Sequence, residues 1–239
     1  MMLAVLQSQD EITTGRRTLR GRGLSFVSPY WLAWLTRRGL MPGTQVGDEV
    51  KSWDVLKTVQ FIEQHVAKDA PVLDIGAYAS EVPPILCRVG YRCVSALDLN
   101  PGLLKMPLAD KIDYRVGNFL QAPYPDGSFA AVTAISVIEH GFDDARLAAE
   151  MARLLRPGGF FVASFDYWPE KISTDGQDIF GMSWTIFSKP EVERFVALAR
   201  SQGLEPYGPM NFNASGKPVS CFGRDYTFAW LVLRKLDGQ

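Results

Sequence analysis

From about residue 51 onward, short apolar runs alternate with stretches whose apolar residues recur at helical spacing. Trp53, Leu56, Val59, Phe61, Ile62 and Val66 fall mostly on one face and predict a helix over 52–67. The run 71–76 is apolar, closes on Gly76 and predicts a buried strand. Ser80 is placed to cap a helix over 81–89, with Gly90 beyond it. Further strands are predicted over 91–97, 112–116 and 129–137. Asp143 caps a helix with core face Leu147, Met151, Leu154 and Leu155, which Pro157-Gly158-Gly159 stops before a strand over 160–165. Ser188 and Glu191 form a capping box for a helix to about Arg200, and strands follow over 204–207 and 226–234.

The early strands are continuous apolar runs, and they alternate with helices. That pattern predicts an α/β fold whose parallel sheet is covered on both faces. In such a sheet a ligand sits beyond the carboxyl ends of the strands, near the point where strand order reverses. The chemistry should therefore lie at Asp74 to Ser80, Asp98 to Asn100, Gly117 to Phe119, Ser136 to His140 and Asp166 to Trp168.

The first fifty residues have a different character. Arg16, Arg17, Arg20, Arg22, Arg37 and Arg38 gather there with Phe26, Tyr30, Trp31 and Trp34 before a break at Met41-Pro42-Gly43. We read 1–50 as a helical cap or lid and 51–239 as the ligand-binding domain. A membrane-surface helix and a nucleic-acid patch are the competing readings of the basic segment. The whole chain of 239 residues has a net charge of −1, which supplies no general attraction for nucleic acid. No apolar run reaches the roughly 18 residues of a membrane span, and no signal peptide is recognised, so the cytoplasm is expected. Cys87, Cys93 and Cys221 form no C-x-x-C pair and are expected to be buried and reduced.

At the first strand end, Gly76 can bring backbone close to a ligand, and Asp74 adds a carboxylate. At the second, Asp98 stands where nucleotide-binding α/β folds place an acid for ribose hydroxyls, about 20 residues on. A dinucleotide site would need G-x-G-x-x-G, but this loop reads Gly76-Ala77-Tyr78-Ala79-Ser80-Glu81. Pro83 and Pro84 remove amide donors, and Glu81 brings negative charge where pyrophosphate needs positive charge. The mouth suits an adenosine compound without phosphates.

These residues resemble class I S-adenosylmethionine-dependent methyltransferases. The resemblance runs through Val72-Leu73-Asp74-Ile75-Gly76, Ala96-Leu97-Asp98-Leu99-Asn100, Val116-Gly117-Asn118-Phe119, Tyr124-Pro125-Asp126-Gly127-Ser128-Phe129-Ala130, Ser136-Val137-Ile138-Glu139-His140 and Leu154-Leu155-Arg156-Pro157-Gly158-Gly159. It implies a doubly wound, seven-stranded, mostly parallel sheet with an antiparallel final strand, and S-adenosyl-L-methionine as cofactor. By position, Asp74, Gly76 and Ala77 would line the methionine part. Asp98 would take the ribose, Leu99, Asn118 and Phe119 the adenine, and Ser136 would stand beside them. The family usually carries three glycines in the first loop; here Tyr78 and Ser80 replace two.

On the acceptor side, His140 and Asp166 are the base candidates, because a hydroxyl acceptor must lose its proton. Tyr167, Trp168 and Trp184 could stack on a sugar or aromatic ring, or equally form a packed loop core. This stretch looks similar to methyltransferases of surface-glycan assembly, which implies O-methylation of a small-molecule or glycan acceptor. No metal is expected. The rival readings are a non-catalytic scaffold of the same fold and a nicotinamide-dependent oxidoreductase.

Overall fold

The computed structural model describes residues 3–27, 38 and 46–237. The apolar runs form one mixed sheet. Its elements in chain order are β1 (Leu3–Val5), α1 (Gln9–Gly21), α2 (Ser52–His65), β2 (Val72–Ile75), α3 (Val82–Arg88), β3 (Val94–Asp98), β4 (Ile112–Val116) and β5 (Phe129–Ile135). Then follow α4 (Asp144–Leu154), β6 (Leu155–Tyr167), the hairpin β7 (Asp178–Ile179) and β8 (Met182–Ser183), α5 (Lys189–Ser201), β9 (Leu204–Pro206), β10 (Val219–Cys221) and β11 (Arg224–Lys235).

The principal order is β1-β11-β6-β5-β2-β3-β4. Strands β2 to β6 are parallel to their neighbours, and β11 returns antiparallel on β6. Seven strands, mostly parallel, with β11 reversed, are what the pattern and resemblance imply. The outer edge of β11 is shared by two short antiparallel strands, β1 against Ala229 to Leu231 and β9 against Leu233 to Lys235. Strand β1 was not predicted: three apolar residues carry no measurable period, and their pairing partner lies at the far end of the chain.

Alternate residues of each strand feed two cores. On one face Val72, Val94, Val162 and Trp230 pack with Val55, Val59 and Ile62 of α2 and Ile85 of α3. On the other, Leu73, Leu97, Phe161 and Leu231 pack with Leu147 and Met151 of α4 and Phe195 of α5. This two-sided burial explains why the strands read as continuous apolar runs.

The caps at Asp143 and Ser188 form as expected: the Asp143 carboxylate accepts from Arg146 N, and Ser188 and Glu191 exchange bonds. Pro157-Gly158-Gly159 does not separate helix from strand. Helix α4 ends at Leu154 and β6 begins at once, because Leu155 pairs with Phe129 before a register irregularity. The cysteine expectation is corrected: Cys93 is exposed, and Cys87 and Cys221 are half-buried free thiols.

The described part of the basic segment is helical and packed. Helix α1 buries Ile12, Gly15, Arg16 and Leu19, and Gly15 lies so close to α2 that a Cβ would stand 2.8 Å from Ser52 O. Arg16 pairs with Glu81, Arg20 with Glu49 and Arg22 with Glu63. Those arginines are matched by acids from later in the same chain. Tyr30, Trp31, Trp34, Arg37 and the Met41-Pro42-Gly43 break lie outside the described residues. Among the described residues no helix is long and apolar enough to cross a membrane.

Candidate functional site at the strand ends

The order β6-β5-β2-β3 reverses at β2, so the crevice expected of such sheets opens beyond Ile75 and Ile135. Asp74 is buried within this wall. Thr133, its partner across the β2–β5 ladder, donates to Oδ1, while Oδ2 has no partner among the described residues. Burial pushes its carboxyl up to about 7, with the Thr133 bond pulling the other way. A raised folded-state value means stability that is full below the unfolded value and is lost as pH rises through about 7. Urea denaturation from pH 4 to 8 should therefore show the wild type losing stability relative to Asp74→Asn as pH rises. Parallel curves would contradict the assignment.

The first loop is shaped by its neighbours. Gly76 has φ of 63°, and a Cβ there would stand 2.3 Å from Val137 Cγ2. Its lack of a side chain is demanded by Val137. Ala79 also has a left-handed φ of 63°, so a non-glycine residue supplies one of the turns that the family's later glycines ease. Tyr78 turns toward the neighbouring loop. Its ring lies against Gly102, where a Cβ would be 2.7 Å from Cε2, so it covers the neighbouring loop.

Tyr78 N donates to Asp98 Oδ2 at 2.9 Å, and Asn100 N donates to Oδ1 at 2.7 Å. Asp98 therefore caps the turn and ties two strand ends, with remaining lone pairs on both oxygens. Beside it Leu99 is 55% exposed, an apolar side chain at a polar mouth. Asn118 accepts from Leu120 N at 2.9 Å and heads a short turn that carries Phe119. Phe119 and His140 line the same small cavity with Ile138 and Phe142. Ala77 is fully buried, and its N–H donates to Leu97 O at 3.2 Å.

The sequence places the negative charge of Glu81 where a pyrophosphate would bind. The structure corrects this: Glu81 is 1% exposed and is gripped by Arg16 through both oxygens, at 3.0 and 2.7 Å. Phe26 N and Val27 N donate to it as well.

Beyond β5, Ser136 takes a left-handed φ of 52° and receives a hydrogen bond from Lys51 Nζ. Sequence reading missed Lys51. It has no local signal, because its partners lie far along the chain: Ser136, and the Phe228 ring 3.7 Å below the ammonium. His140 has a buried Nδ1 without a partner among the described residues. Burial, aided by Lys51, lowers its pKa to about 4. Asp166 is buried, accepts from Trp184 Nε1 at 2.7 Å, and has its carboxyl raised by burial.

The aromatic platform is redistributed. Tyr167 is fully buried with its hydroxyl donating to Phe212 O at 2.9 Å, and Trp184 is 2% exposed. Both are wall: of their two readings the packed loop core holds and the stacking surface does not. Trp168 keeps partial exposure, with Lys217 4.4 Å from its ring. Two residues not singled out are the most exposed aromatics among the described residues: Phe180, 84% exposed and 5.4 Å from the His140 ring, and Phe222, 58% exposed and 6.2 Å from Trp184. Each occupies a left-handed turn position before a glycine, Gly181 or Gly223. The F-G dipeptides were the available signal, since glycine marks such hairpin turns.

Residues 73–163 match the methyltransferase domain family. The fold is that of S-adenosylmethionine-dependent methyltransferases. A putative sarcosine dimethylglycine methyltransferase from Galdieria sulphuraria superposes with a TM-score of 0.58 at 17% identity, over 85% of this chain and 97% of that one. Geranyl diphosphate C-methyltransferase from Streptomyces coelicolor A3(2), in complex with Mg2+, geranyl diphosphate and S-adenosyl-L-homocysteine, gives 0.55 at 17% identity over 76% and 81%. In sequence, ubiquinone biosynthesis O-methyltransferase of Xanthomonas oryzae pv. oryzae is 34% identical over 108 residues, 42% of this chain and 45% of that protein. A probable S-adenosylmethionine-dependent methyltransferase of Mycolicibacterium smegmatis is 44% identical over 54 residues, 23% of this chain and 21% of its own length. The chain thus spans less than half the length of these curated relatives.

The residues present fit the cofactor that this domain implies. Asp98 has spare acceptor capacity at the β3 end, Leu99 is bare beside it, and Asp74 holds a buried oxygen without a partner among the described residues. No side chain in 74–81 carries positive charge for a phosphate.

Proposed function

We propose that the protein transfers a methyl group from S-adenosyl-L-methionine to the hydroxyl of a small-molecule acceptor, a glycan being the class we favour. The observation that carries this reading is Asp98 at the end of β3 with Leu99 exposed beside it, in a loop without phosphate-binding character. When bound, the cofactor supplies a carbon activated by positively charged sulfur. Asp98 accepts from the ribose hydroxyls. Leu99, Asn118 and Phe119 face the adenine, Asp74, Gly76 and Ala77 border the methionine part, and Ser136 stands beside it.

On the acceptor side we favour Asp166 as the base, its carboxyl raised by burial. His140, with its pKa lowered to about 4, is neutral at physiological pH and acts as a hydrogen-bonding wall. Trp168 and the exposed Phe180 and Phe222 offer flat surface to an acceptor ring. The segment 1–50 acts as a cap on this site, supported by the Arg16–Glu81 pair and by Gly47 N donating to Ala79 O at 2.7 Å. We place the reaction in the cytoplasm, a setting that suits three free thiols. A scaffold of this fold remains the second reading, because Tyr78 occupies a glycine position of the first loop.

Isothermal calorimetry with S-adenosyl-L-homocysteine separates the readings. We expect binding, and a roughly ten- to hundredfold loss in Asp98→Ala, since a charge-assisted hydrogen bond is worth about 1.5–3 kcal/mol. No binding at millimolar concentration would favour the scaffold, and NADH binding in its place would favour an oxidoreductase. Labelled cofactor with a panel of sugars and phenols then identifies the acceptor. His140→Ala should keep at least a tenth of the wild-type turnover, whereas Asp166→Asn should lose about 10²-fold or more.

A further inference from the structure

One short segment ties the strand ends on either side of the crevice. On the β2 side, Gly47 N donates to Ala79 O at 2.7 Å. On the β5 side, Lys51 Nζ donates to Ser136 Oγ. Both acceptors belong to residues with a left-handed backbone, φ 63° at Ala79 and 52° at Ser136. Strands β2 and β5 are neighbours in the sheet, so these two loops face each other across the crevice. The chain from Gly47 to Lys51, which can extend at most about 14 Å, runs as a strap from one lip to the other.

The strap is anchored at its middle by the buried Arg16–Glu81 pair. Asp48 O accepts from Arg16 Nη2 at 3.0 Å, and Asp48 Oδ1 accepts from Val50 N at 3.0 Å. Gly47 lies so close to Glu81 that a Cβ would stand 2.5 Å from Cδ. Beyond Lys51 the chain enters α2 at Ser52, whose hydroxyl accepts from Arg16 Nε at 2.9 Å. From this fixed base the Lys51 side chain reaches to β5, with its ammonium 3.7 Å from the centre of the Phe228 ring of β11.

Ser136 needs such a partner. A residue with a Cβ is disfavoured roughly five- to thirtyfold in the left-handed region. Ser136 N donates to Ser164 O at 2.9 Å, which ties its backbone to β6, and its side chain is tied by Lys51. We propose that Lys51 is a positioning residue for the cofactor: as the latch of the strap it holds Ser136 in the left-handed turn that shapes the β5 lip. This rests on the methyl-transfer reading above, which sets Ser136 beside the cofactor. With the latch made, the turn is formed before the cofactor arrives. Without it Ser136 relaxes, and binding must restore the turn at a cost in affinity.

Calorimetry of the full chain with S-adenosyl-L-homocysteine tests this. Lys51→Met should weaken binding by roughly five- to thirtyfold, and Lys51→Arg, which keeps a donor, should recover most of it. Ser136→Ala keeps the strained turn and loses the acceptor, so it should match Lys51→Met, and the double variant should bind no worse than either single one. Ser136→Gly takes the left-handed turn without strain, so adding Lys51→Met to it should cost no more than about twofold. A lysine that only offset the buried carboxylates Asp54, Glu139 and Asp166 would give the same loss in every background. That result would overturn the proposal, as would wild-type affinity in Lys51→Met. If Lys51→Met does not fold by circular dichroism, Ser136→Ala against Ser136→Gly decides, and equal affinity in those two rejects the latch. Absence of binding in the wild type sinks the methyl-transfer reading and the latch with it, whereas intact binding that Lys51→Met leaves unmoved removes the latch alone.

Discussion

Arg16→Met should destabilise the folded chain by about 3–5 kcal/mol, the usual cost of leaving one partner of a buried ion pair without the other. Arg16 is 4% exposed and Glu81 1%. The guanidinium spends its donors on Glu81 Oε1 and Oε2, Ser52 Oγ, Ser25 Oγ and Asp48 O, all at 2.7–3.0 Å. Methionine matches much of the length and none of the donors, so the Glu81 carboxylate is left with only the amides of Phe26 and Val27. In urea the midpoint should fall with the slope unchanged. Lysine should rescue little, because one ammonium cannot serve two carboxylate oxygens, two hydroxyls and a carbonyl. The double variant Arg16→Met/Glu81→Leu should recover part of the loss, since both charges leave together. A single variant within about 1 kcal/mol of wild type would show the pair to be solvated in solution.

That pair also shows where the sequence is legible and where it is not. The strand ends bearing Asp74, Asp98, Ser136 and Asp166 could be placed because burial on both faces writes itself as local apolar runs, and these polar residues stand at or near the ends of those runs. The caps at Asp143 and Ser188 were legible for the same reason: donor and acceptor lie within one helical turn. Glu81 was misread because its partner is 65 residues away and no local pattern encodes that. Lys51, 85 residues from Ser136, is invisible on the same ground. Tyr167 and Trp184 show a different limit. An aromatic residue at a strand end scores alike whether it faces a ligand or the core, and only the fold assigns the Tyr167 hydroxyl to Phe212 and the Trp184 indole to Asp166.

Gly76→Ala should cost about 2–5 kcal/mol, the sum of two separable penalties. A φ of 63° asks a residue with a Cβ to adopt the left-handed region, worth roughly 1–2 kcal/mol. The new methyl would also stand 2.3 Å from Val137 Cγ2 and 2.5 Å from Cγ1. Crowding of that kind in a packed wall costs about 1–3 kcal/mol. Val137→Ala in the same chain should remove most of the second penalty, its own Cβ still lying 3.0 Å from the new methyl, and leave the first, so a double-mutant cycle in urea measures them apart. Val137 is the neighbour of Ser136, the left-handed residue pinned by Lys51. Pushing Val137 away therefore moves the strand ends on both sides of the crevice. Gly76→Ala should weaken S-adenosyl-L-homocysteine binding even where the protein stays folded, and Val137→Ala should restore part of that affinity. Equal loss of affinity in the single and double variants would place the whole effect in the left-handed backbone and acquit the Gly76–Val137 contact.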